Sequence, residues 1–516
     1  MPNNSPARAI FGAVQAEKWC AAYRVALVNA GVFLSLALAM FVLEPTSLAV
    51  ILSAPALFFL GSLLSFLLMV GNGGALATVA WFVLGTGIFF GMGVVAGGLH
   101  VHPWSDTVFA NDTQYLVRIN LLNACSVMIA LATAYPLANM QALKDNNLHM
   151  SLDNIEGVMQ KIFPFILGIC VIGVGLRFVL FPAAGNPVLG SLAAKIYLII
   201  PAGLLLFGIL WRSSGWRLRL VAGSVFLLEI VNGLACLTKY QVISAMLAFV
   251  VGMWLTRPSA KFILMTLMIM AFIFALINPL ITLGRGHVDY NGNTNSIATR
   301  FAILVDVGNA YYLGNKNLNR ASPESEDPIR NQRAMDFAKN QRAMQPAGER
   351  LRALGRRFDV ASIQGYLVNE YDNGRPGKSM HDFLVVMIPR VLWPEKPIIT
   401  RFGGELSAQY YNNPKQSATS TAPTYSAEAY WNHGPLGVVG VSILLGLGLG
   451  WFTRCWQFAM AGRDPAYFLM AFPAAIWASY VESWVVATYL GEFIIFVVIL
   501  LVGRRIFARL SGPLKI

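Results

Sequence analysis

The sequence predicts an all-α polytopic membrane protein with about 12 transmembrane helices and one large, partly helical loop. Three observations predict this class: 56% of the 516 residues are hydrophobic, only 12% are charged, and the mean hydropathy is +0.59. Such values are not those of a soluble globular protein. The apolar runs are continuous rather than alternating, which argues against a transmembrane β-barrel.

Each candidate span must supply about 20 mostly apolar residues to cross the hydrocarbon core. The eighth is short, and the last two are joined almost without a loop. No cleavable signal peptide is expected, because the first apolar run is long enough to stay in the bilayer. The candidate spans are 25–43, 46–70, 75–97, 116–138, 162–181, 191–211, 219–236, 241–256, 262–283, 434–454, 466–486 and 489–508.

The basic residues of the short loops predict the orientation. With twelve spans, the Lys- and Arg-rich loops all fall on one side, so both termini are expected in the cytoplasm. The chain then divides into an N-terminal membrane region (1–283, about nine helices), a large periplasmic loop (284–433) and a C-terminal membrane region (434–516, about three helices). We attribute the net charge of +13 to the basic residues that orient the helices in the membrane, and not to a surface that binds nucleic acid.

The large loop is long enough to be more than a connection. It is nearly balanced in charge, with 18 Lys and Arg against 14 Asp and Glu. Ser296–Tyr312 has apolar residues at helical spacing and predicts an interfacial amphipathic helix. Arg330–Phe358 predicts a charged helix interrupted at Pro346. Ser379–Trp393 is apolar but too short to cross, which predicts an interfacial or re-entrant helix.

The most unusual stretch is His381–Gly437, where cations stand among prolines, tryptophan and glycines. A guanidinium fork matches two phosphate oxygens, and several converging cations would form a pyrophosphate clamp. A lone cation of this kind is more often a lipid-headgroup contact, a loop ion pair or a side chain that reaches the interface. The candidate cations are Arg390, Lys396, Arg401, Arg285, Arg300, Lys239 and Arg177.

Glu428 lies in the same stretch, in SAEAYWNHG. It is a candidate general base for a sugar hydroxyl, or alternatively a carboxylate that favours the start of the following helix. The neighbouring Tyr430 and Trp431 fit an aromatic belt at the interface or stacking on sugar rings. The sequence leaves both pairs of alternatives open.

The chain lacks the sequence motifs of several common classes of enzyme. There is no P-loop, no GxSxG and no HExxH, and the five cysteines have no metal-ligand spacing. No cofactor and no metal are therefore expected. A reaction without a nucleotide would need a substrate that is already activated.

Two segments carry a family resemblance. IPRVLWPEKP, followed at a distance by STAPTYSAEAYWNHGPLG and a span, resembles the Wzy-type oligosaccharide repeat-unit polymerases, the O-antigen and exopolysaccharide polymerases. LTKYQVISAMLAF looks like the short polar turn with a basic residue that precedes a span in that family. The specific motifs cover only a small part of the chain, while the similarity in topology, a polymerase and ligase architecture like that of GT-C enzymes, covers all of it.

The resemblance implies a metal-independent glycosyltransferase of the bacterial inner membrane that acts on undecaprenyl-diphosphate-linked oligosaccharides at the periplasmic face. Its partners would be that substrate, membrane lipid, a chain-length regulator and a flippase. The roles that follow are Arg390 and Lys396 on the diphosphate, Arg285 or Arg300 assisting, and Lys239 at the membrane-level entrance. Glu428 would be the base for the attacking hydroxyl.

Other functions fit parts of the same pattern. An O-antigen ligase would carry a histidine near the end of its loop, and His433 is a loose match. A transporter or flippase of a lipid-linked glycan would show repeated halves and broken helices at corresponding positions. An assembly scaffold would leave the arginines unexplained.

Overall fold

The computed structural model describes the chain in segments. They are residues 6–99, 113–138, 160–175 without 161, 162 and 165, 199–286 without 212, 213, 236, 238, 257 and 258, 297–313, 359–381, the single positions 383, 385, 388, 393 and 395, and 403–406, 422–460 and 465–510. Regular structure in these segments is helical, apart from one isolated antiparallel bridge between Thr424 and Glu482. The all-α class is confirmed.

The N-terminal helices are interrupted where glycines gather. A π-helical turn at Val70–Gly74 ends the second helix, and Gly73 within it has φ 88°, which glycine adopts without steric cost. A second π-helical turn, Gly87–Met92, joins the third helix to the fourth. The helices are α1 Pro6–Leu43, α2 Leu48–Met69, α3 Thr78–Thr86, α4 Gly93–Gly98 and α5 Gln114–Ala138.

The middle of the chain continues as helices joined by short turns. The helix predicted at Ser296–Tyr312 is confirmed, since it forms α11. The predicted helix at Arg330–Phe358 and most of Ser379–Trp393 lie outside the described residues. The helices are α6 Ile166–Gly175, α7 Ile199–Leu210, α8 Trp216–Ala235, α9 Lys239–Thr256, α10 Ala260–Gly286 and α11 Ile297–Leu313.

The C-terminal part contains the least regular helices. Its longest helix bends at Gly434, which has φ 61° and ψ −151°, and the following Pro435 has no backbone N–H to donate. A 3₁₀ turn, Pro465–Leu469, precedes the next helix, and a π-helical turn, Val485–Leu490, precedes the last. The helices are α12 Ala361–Asp372, α13 Tyr425–Met460, α14 Ala471–Ser479 and α15 Gly491–Leu510.

The protein is membrane-embedded. Among the described residues, 7 helical stretches are long and apolar enough to cross a membrane, and the count of twelve spans stays a prediction. The stretches are Glu17–Leu43, Leu48–Gly74, Thr78–Gly98, Gln114–Ala138, Trp216–Ala235, Lys261–Asn278 and Tyr425–Ala459.

The chain forms two compact units. Met1–Ile155 and Leu351–Ile516 make up the first unit, and Glu156–Arg350 makes up the second. The first unit is therefore discontinuous in sequence. The predicted division at 283 and 433 concerns position relative to the membrane, and it stays a prediction.

Small residues bring helices of the first unit into close contact. A Cβ at Gly446 would lie 2.5 Å from the backbone oxygen of Ala130, and one at Gly450 would lie 2.8 Å from that of Ala134. Helices α5 and α13 can approach this closely only because both positions are glycine, as is common between membrane helices. This contact holds the second half of α13 beside α5.

Glycines also bring two helices of the second unit into close contact. Gly208 in α7 faces Gly252 in α9, and a Cβ on either would come within about 3.0 Å of the other's Cα. Phe207 and Phe249 pack beside this crossing, with ring centroids 5.2 Å apart. Helices α7 and α9 are thus held by a glycine contact with an aromatic flank.

Candidate functional site

In the second unit, three element ends meet at one small hydrophobic cluster. A Cβ at Gly284 would lie 2.9 Å from a methyl carbon of Leu237 and 3.7 Å from one of Leu304. The turn before α9, the end of α10 and the first part of α11 therefore pack together. The buried members of the cluster are Leu237, Ile281, Ile303, Leu304 and Val307.

Three of the predicted cations sit on these element ends. Lys239 is the first residue of α9, Arg285 lies in the last turn of α10, and Arg300 lies in the first turn of α11. Arg300 is buried, with 5% of its surface exposed. The side chains of Lys239 and Arg285 lie outside the described residues. Each of the three cations lies within four residues of one of the contacting residues Leu237, Gly284 and Leu304.

The electrostatics of this junction favour an anion. A helix N-terminus carries a partial positive charge from its free N–H groups, so Lys and Arg are disfavoured there and anions are favoured. Two N-termini, those of α9 and α11, bear Lys239 and Arg300. Arg285 lies instead at the C-terminal, partly negative end of α10, where a cation is favoured. The two N-termini and the cationic side chains are groups that suit phosphate oxygens.

In the first unit, Glu428 joins three segments of the chain. Its side chain is fully buried, and one carboxylate oxygen accepts a hydrogen bond from the Ser379 hydroxyl at 2.6 Å. The other accepts one from the backbone N–H of Val485. Asn432 donates to the Ser379 oxygen and to the Glu428 carbonyl, both at 2.9 Å. Both carboxylate oxygens of Glu428 are therefore engaged.

Glu428 lies beside an interruption in the helices. Residues Tyr480–Trp484 leave the helical path between α14 and the π-helical turn, so the predicted span 466–486 is not one continuous helix. Tyr425 donates its backbone N–H to the Val481 carbonyl at 3.2 Å, and the Tyr489 hydroxyl donates to the Tyr480 carbonyl. Exposed backbone polar groups are costly in an apolar surrounding, and these bonds satisfy some of them.

A buried amide network connects α5, α12 and the start of α13. Gln364 donates to Asn123 Oδ1 at 2.9 Å and to Thr424 Oγ1 at 2.7 Å. Asn123 donates back to Gln364 Oε1 at 3.2 Å, and Ser426 donates to Asn123 Oδ1 at 3.0 Å. All four side chains are buried. The network locks α12, which the sequence assigns to the large loop, against the helices of the first unit.

An exposed polar and aromatic rim surrounds the end of α12. One Asp372 oxygen accepts from the Tyr430 hydroxyl at 3.0 Å, and the other pairs with Arg118 at 3.3 Å. The Tyr115 hydroxyl donates to Asn369 at 2.8 Å.

Trp431 completes this rim. Its indole N–H donates to the Arg375 carbonyl at 3.2 Å, and its own carbonyl accepts from Gly377. A Cβ at Gly377 would lie 2.5 Å from the indole ring, so only glycine leaves room for the ring to lie against the backbone. Arg375 forms a two-point bond with Glu370 at 2.6 and 2.8 Å, and this bond raises the pKa of the guanidinium.

The remaining predicted site residues are Arg177, Arg390, Lys396 and Arg401, which lie outside the described residues. Lys239, Arg285 and Arg300 belong to the second unit, and Glu428 belongs to the first. Their predicted roles stay predictions. In the described part of the chain, no three His, Cys, Asp or Glu side chains group as metal ligands.

Sequence reasoning missed the amide network and the Asp372 pair. Asn123 was visible as an amide in the middle of an apolar span, a position where polar residues are costly. Gln364 and Asp372 gave no such signal, because they lie in a polar segment that the sequence assigns to the loop.

Comparison with models of protein families, with curated proteins and with solved structures found no match.

Proposed function

We propose that this protein joins undecaprenyl-diphosphate-linked oligosaccharide repeat units into a surface polysaccharide. In this proposal it is a metal-independent glycosyltransferase of the bacterial inner membrane, with about twelve spans, cytoplasmic termini and 284–433 on the periplasmic side. A chain-length regulator and a flippase would be its partners. The donor sugar is already activated by its diphosphate, so no cofactor is required.

The observation that carries the proposal is the junction of Lys239, Arg285 and Arg300. A leaving diphosphate develops negative charge, and fixed cations at the position of that charge lower the barrier. The two helix N-termini at the junction add N–H donors for the same oxygens. Arg390, Lys396, Arg401 and Arg177 would supply further positive charge.

The buried motif supports a second part of the proposal. The stretch that resembles the polymerases begins α13, and its polar side chains anchor the loop end to the helices: Thr424 and Ser426 through the amide network, Glu428 and Asn432 through Ser379. A transferase must hold two glycans in a fixed orientation, and a rigid loop end serves that purpose. Glu428 would then act as a base only if the bonds to Ser379 and Val485 opened.

The test is electrophoresis of the glycan made by cells that carry variants of this protein. Deletion should replace a ladder of polymer with single repeat units on the lipid. Arg300→Lys, which keeps the charge but loses the guanidinium fork, should shorten or abolish the ladder. The matched control is Arg217→Lys, at an exposed arginine of α8. A normal ladder from a well-expressed Arg300→Lys protein would contradict the role of the junction.

One observation favours a second candidate function, the transport of a lipid-linked glycan across the membrane. The interruption at Tyr480–Trp484 is the kind of broken helix that transporters place at their binding sites. The two functions differ in where substrate accumulates. Loss of a flippase leaves the glycan on the cytoplasmic side, whereas loss of a polymerase leaves single units on the outer side, where an added glycosidase can reach them.

A further inference from the structure

The rim at the end of α12 has the composition of a sugar-binding surface. Aromatic side chains stand beside charged groups of both signs. Tyr371 and Tyr430 meet edge to face, with ring centroids 5.2 Å apart and planes at 66°. Both rings and Trp431 are only partly buried, and Asp372 beside them is exposed. Parts of these three aromatic side chains are therefore exposed next to polar groups.

The rim is held in place before any ligand binds. The Tyr430 hydroxyl is fixed by Asp372, the Trp431 indole by the Arg375 carbonyl, and Arg375 by Glu370. Side chains that are already ordered lose less conformational entropy when a ligand arrives. Such preorganisation favours recognition of a weakly interacting ligand.

The hydrogen-bonding capacity of the rim matches hydroxyl groups. Each oxygen of Asp372 has one protein partner, and a carboxylate oxygen has room for a second. Arg118 and Arg375 offer further N–H donors, with 50% and 63% of their side chains exposed. A sugar hydroxyl both donates and accepts, so it can use a carboxylate and a guanidinium together.

Other ligands fit this surface less well. A diphosphate diester only accepts hydrogen bonds, so it could bond the two arginines but not the carboxylates of Asp372 and Glu370, which would repel it. A lipid tail would leave the charged groups without water. From these contacts we propose that the rim of Tyr371, Asp372, Arg118, Tyr430 and Trp431 is a binding site for sugar rings of a glycan. The proposal rests on the proposed function, and it assigns the glycan and the diphosphate to different parts of the chain.

The test measures binding of free sugar to the full-length protein in detergent or nanodiscs. The probe is the oligosaccharide fraction released by mild acid from the lipids of cells that make this protein, freed of phosphate. Saturation-transfer NMR should show binding to the native protein. Asp372→Asn and Trp431→Ala should each weaken it at least about tenfold, the effect of one lost charged hydrogen bond or one lost ring face.

Matched controls come from exposed residues of the second unit. Asp306→Asn and Trp216→Ala change the same residue types at exposed positions and should leave binding unchanged. Tyr430→Phe keeps the ring and removes only its hydroxyl, so it serves if Trp431→Ala fails to fold. Equal apparent Tm values for the variants and the native protein establish that each is folded.

The outcomes separate this site from the proposed function. Absence of sugar binding by the native protein, or undiminished binding by the folded rim variants, would overturn the site even if the cells made a normal ladder. Competition at the rim by inorganic pyrophosphate would also overturn it. Loss of sugar binding in the rim variants supports the site, whether or not deletion of the protein affects polymer length.

Discussion

The Ser379 hydroxyl donates a hydrogen bond to the Glu428 carboxylate at 2.6 Å across 49 positions of sequence. This bond ties position 379 of the predicted large loop to the first turn of α13, in a buried setting where neither partner can turn to water. Removing one partner of such a bond costs more than the bond contributes, because the other partner is left unsatisfied.

Replacement of Glu428 separates a structural role from a chemical one. In Glu428→Gln, the amide NH₂ would face either the Ser379 hydroxyl or the Val485 N–H, and we expect a loss of about 1–3 kcal/mol of stability. The apparent Tm of the purified protein measures it. Glu17→Gln, at an exposed carboxylate of α1, is the control. An unchanged Tm with lost polymer would instead indicate that Glu428 acts chemically.

The bend in α13 predicts a glycine requirement. Gly434 has φ 61° and ψ −151°, and a Cβ there would lie 2.5 Å from the Tyr371 hydroxyl oxygen. We expect Gly434→Ala to lower stability by about 1–3 kcal/mol.

The control for this change lies in the same helix. Gly440 has open space around its position, so Gly440→Ala should be neutral or stabilising by up to about 1 kcal/mol. Thermal unfolding of both variants tests the prediction. Equal Tm values for the two variants would show that the bend at Gly434 tolerates a side chain.

The amide network predicts strong coupling between two distant residues. Asn123→Ala and Gln364→Ala should each destabilise the protein by about 1–3 kcal/mol, because each leaves buried polar atoms without a partner. The double variant should lose less than the sum, with a coupling of about 0.5–3 kcal/mol. The control pairs Gln364→Ala with Asn72→Ala. The Asn72 amide donates to the Leu68 carbonyl four residues earlier, so the effects of this pair should be additive. Additivity in the first pair would refute the network.

The predicted orientation can be tested by chemical labelling. In a protein whose five cysteines are replaced by alanine, Asn373→Cys adds a thiol just after α12, and Arg217→Cys adds one at the start of α8. Both positions are exposed. A membrane-impermeant maleimide should label position 373 in intact cells and position 217 only after lysis. The reverse pattern would invert the topology.

Hydropathy predicted the helices because a span is a property of about 20 consecutive residues. It did not predict the interruption at Tyr480–Trp484, which lies inside an apolar run and depends on backbone bonds to Tyr425 and Glu428. Nor did it predict that α12 is buried. That helix is polar enough to read as part of a loop, and its burial depends on Asn123, far away in sequence.

For the same reason, the surroundings of Tyr430 were not predictable. An aromatic residue near a span suggests a membrane belt. The structure adds that its hydroxyl donates to Asp372, a partner 58 positions earlier, and the belt stays a prediction. A single sequence carries no record of such pairs, so the rim at the end of α12 becomes visible only in the structure. The cations of the junction were all identified from sequence, but not the packing of Leu237, Gly284 and Leu304 near them.

The amide network joins residues that are synthesised at well-separated times. Asn123 leaves the ribosome long before Gln364, and the whole of Glu156–Arg350 is synthesised between the segments that form the first unit. Asn123 therefore depends for this hydrogen-bond partner on a helix that is made only after the whole of the second unit.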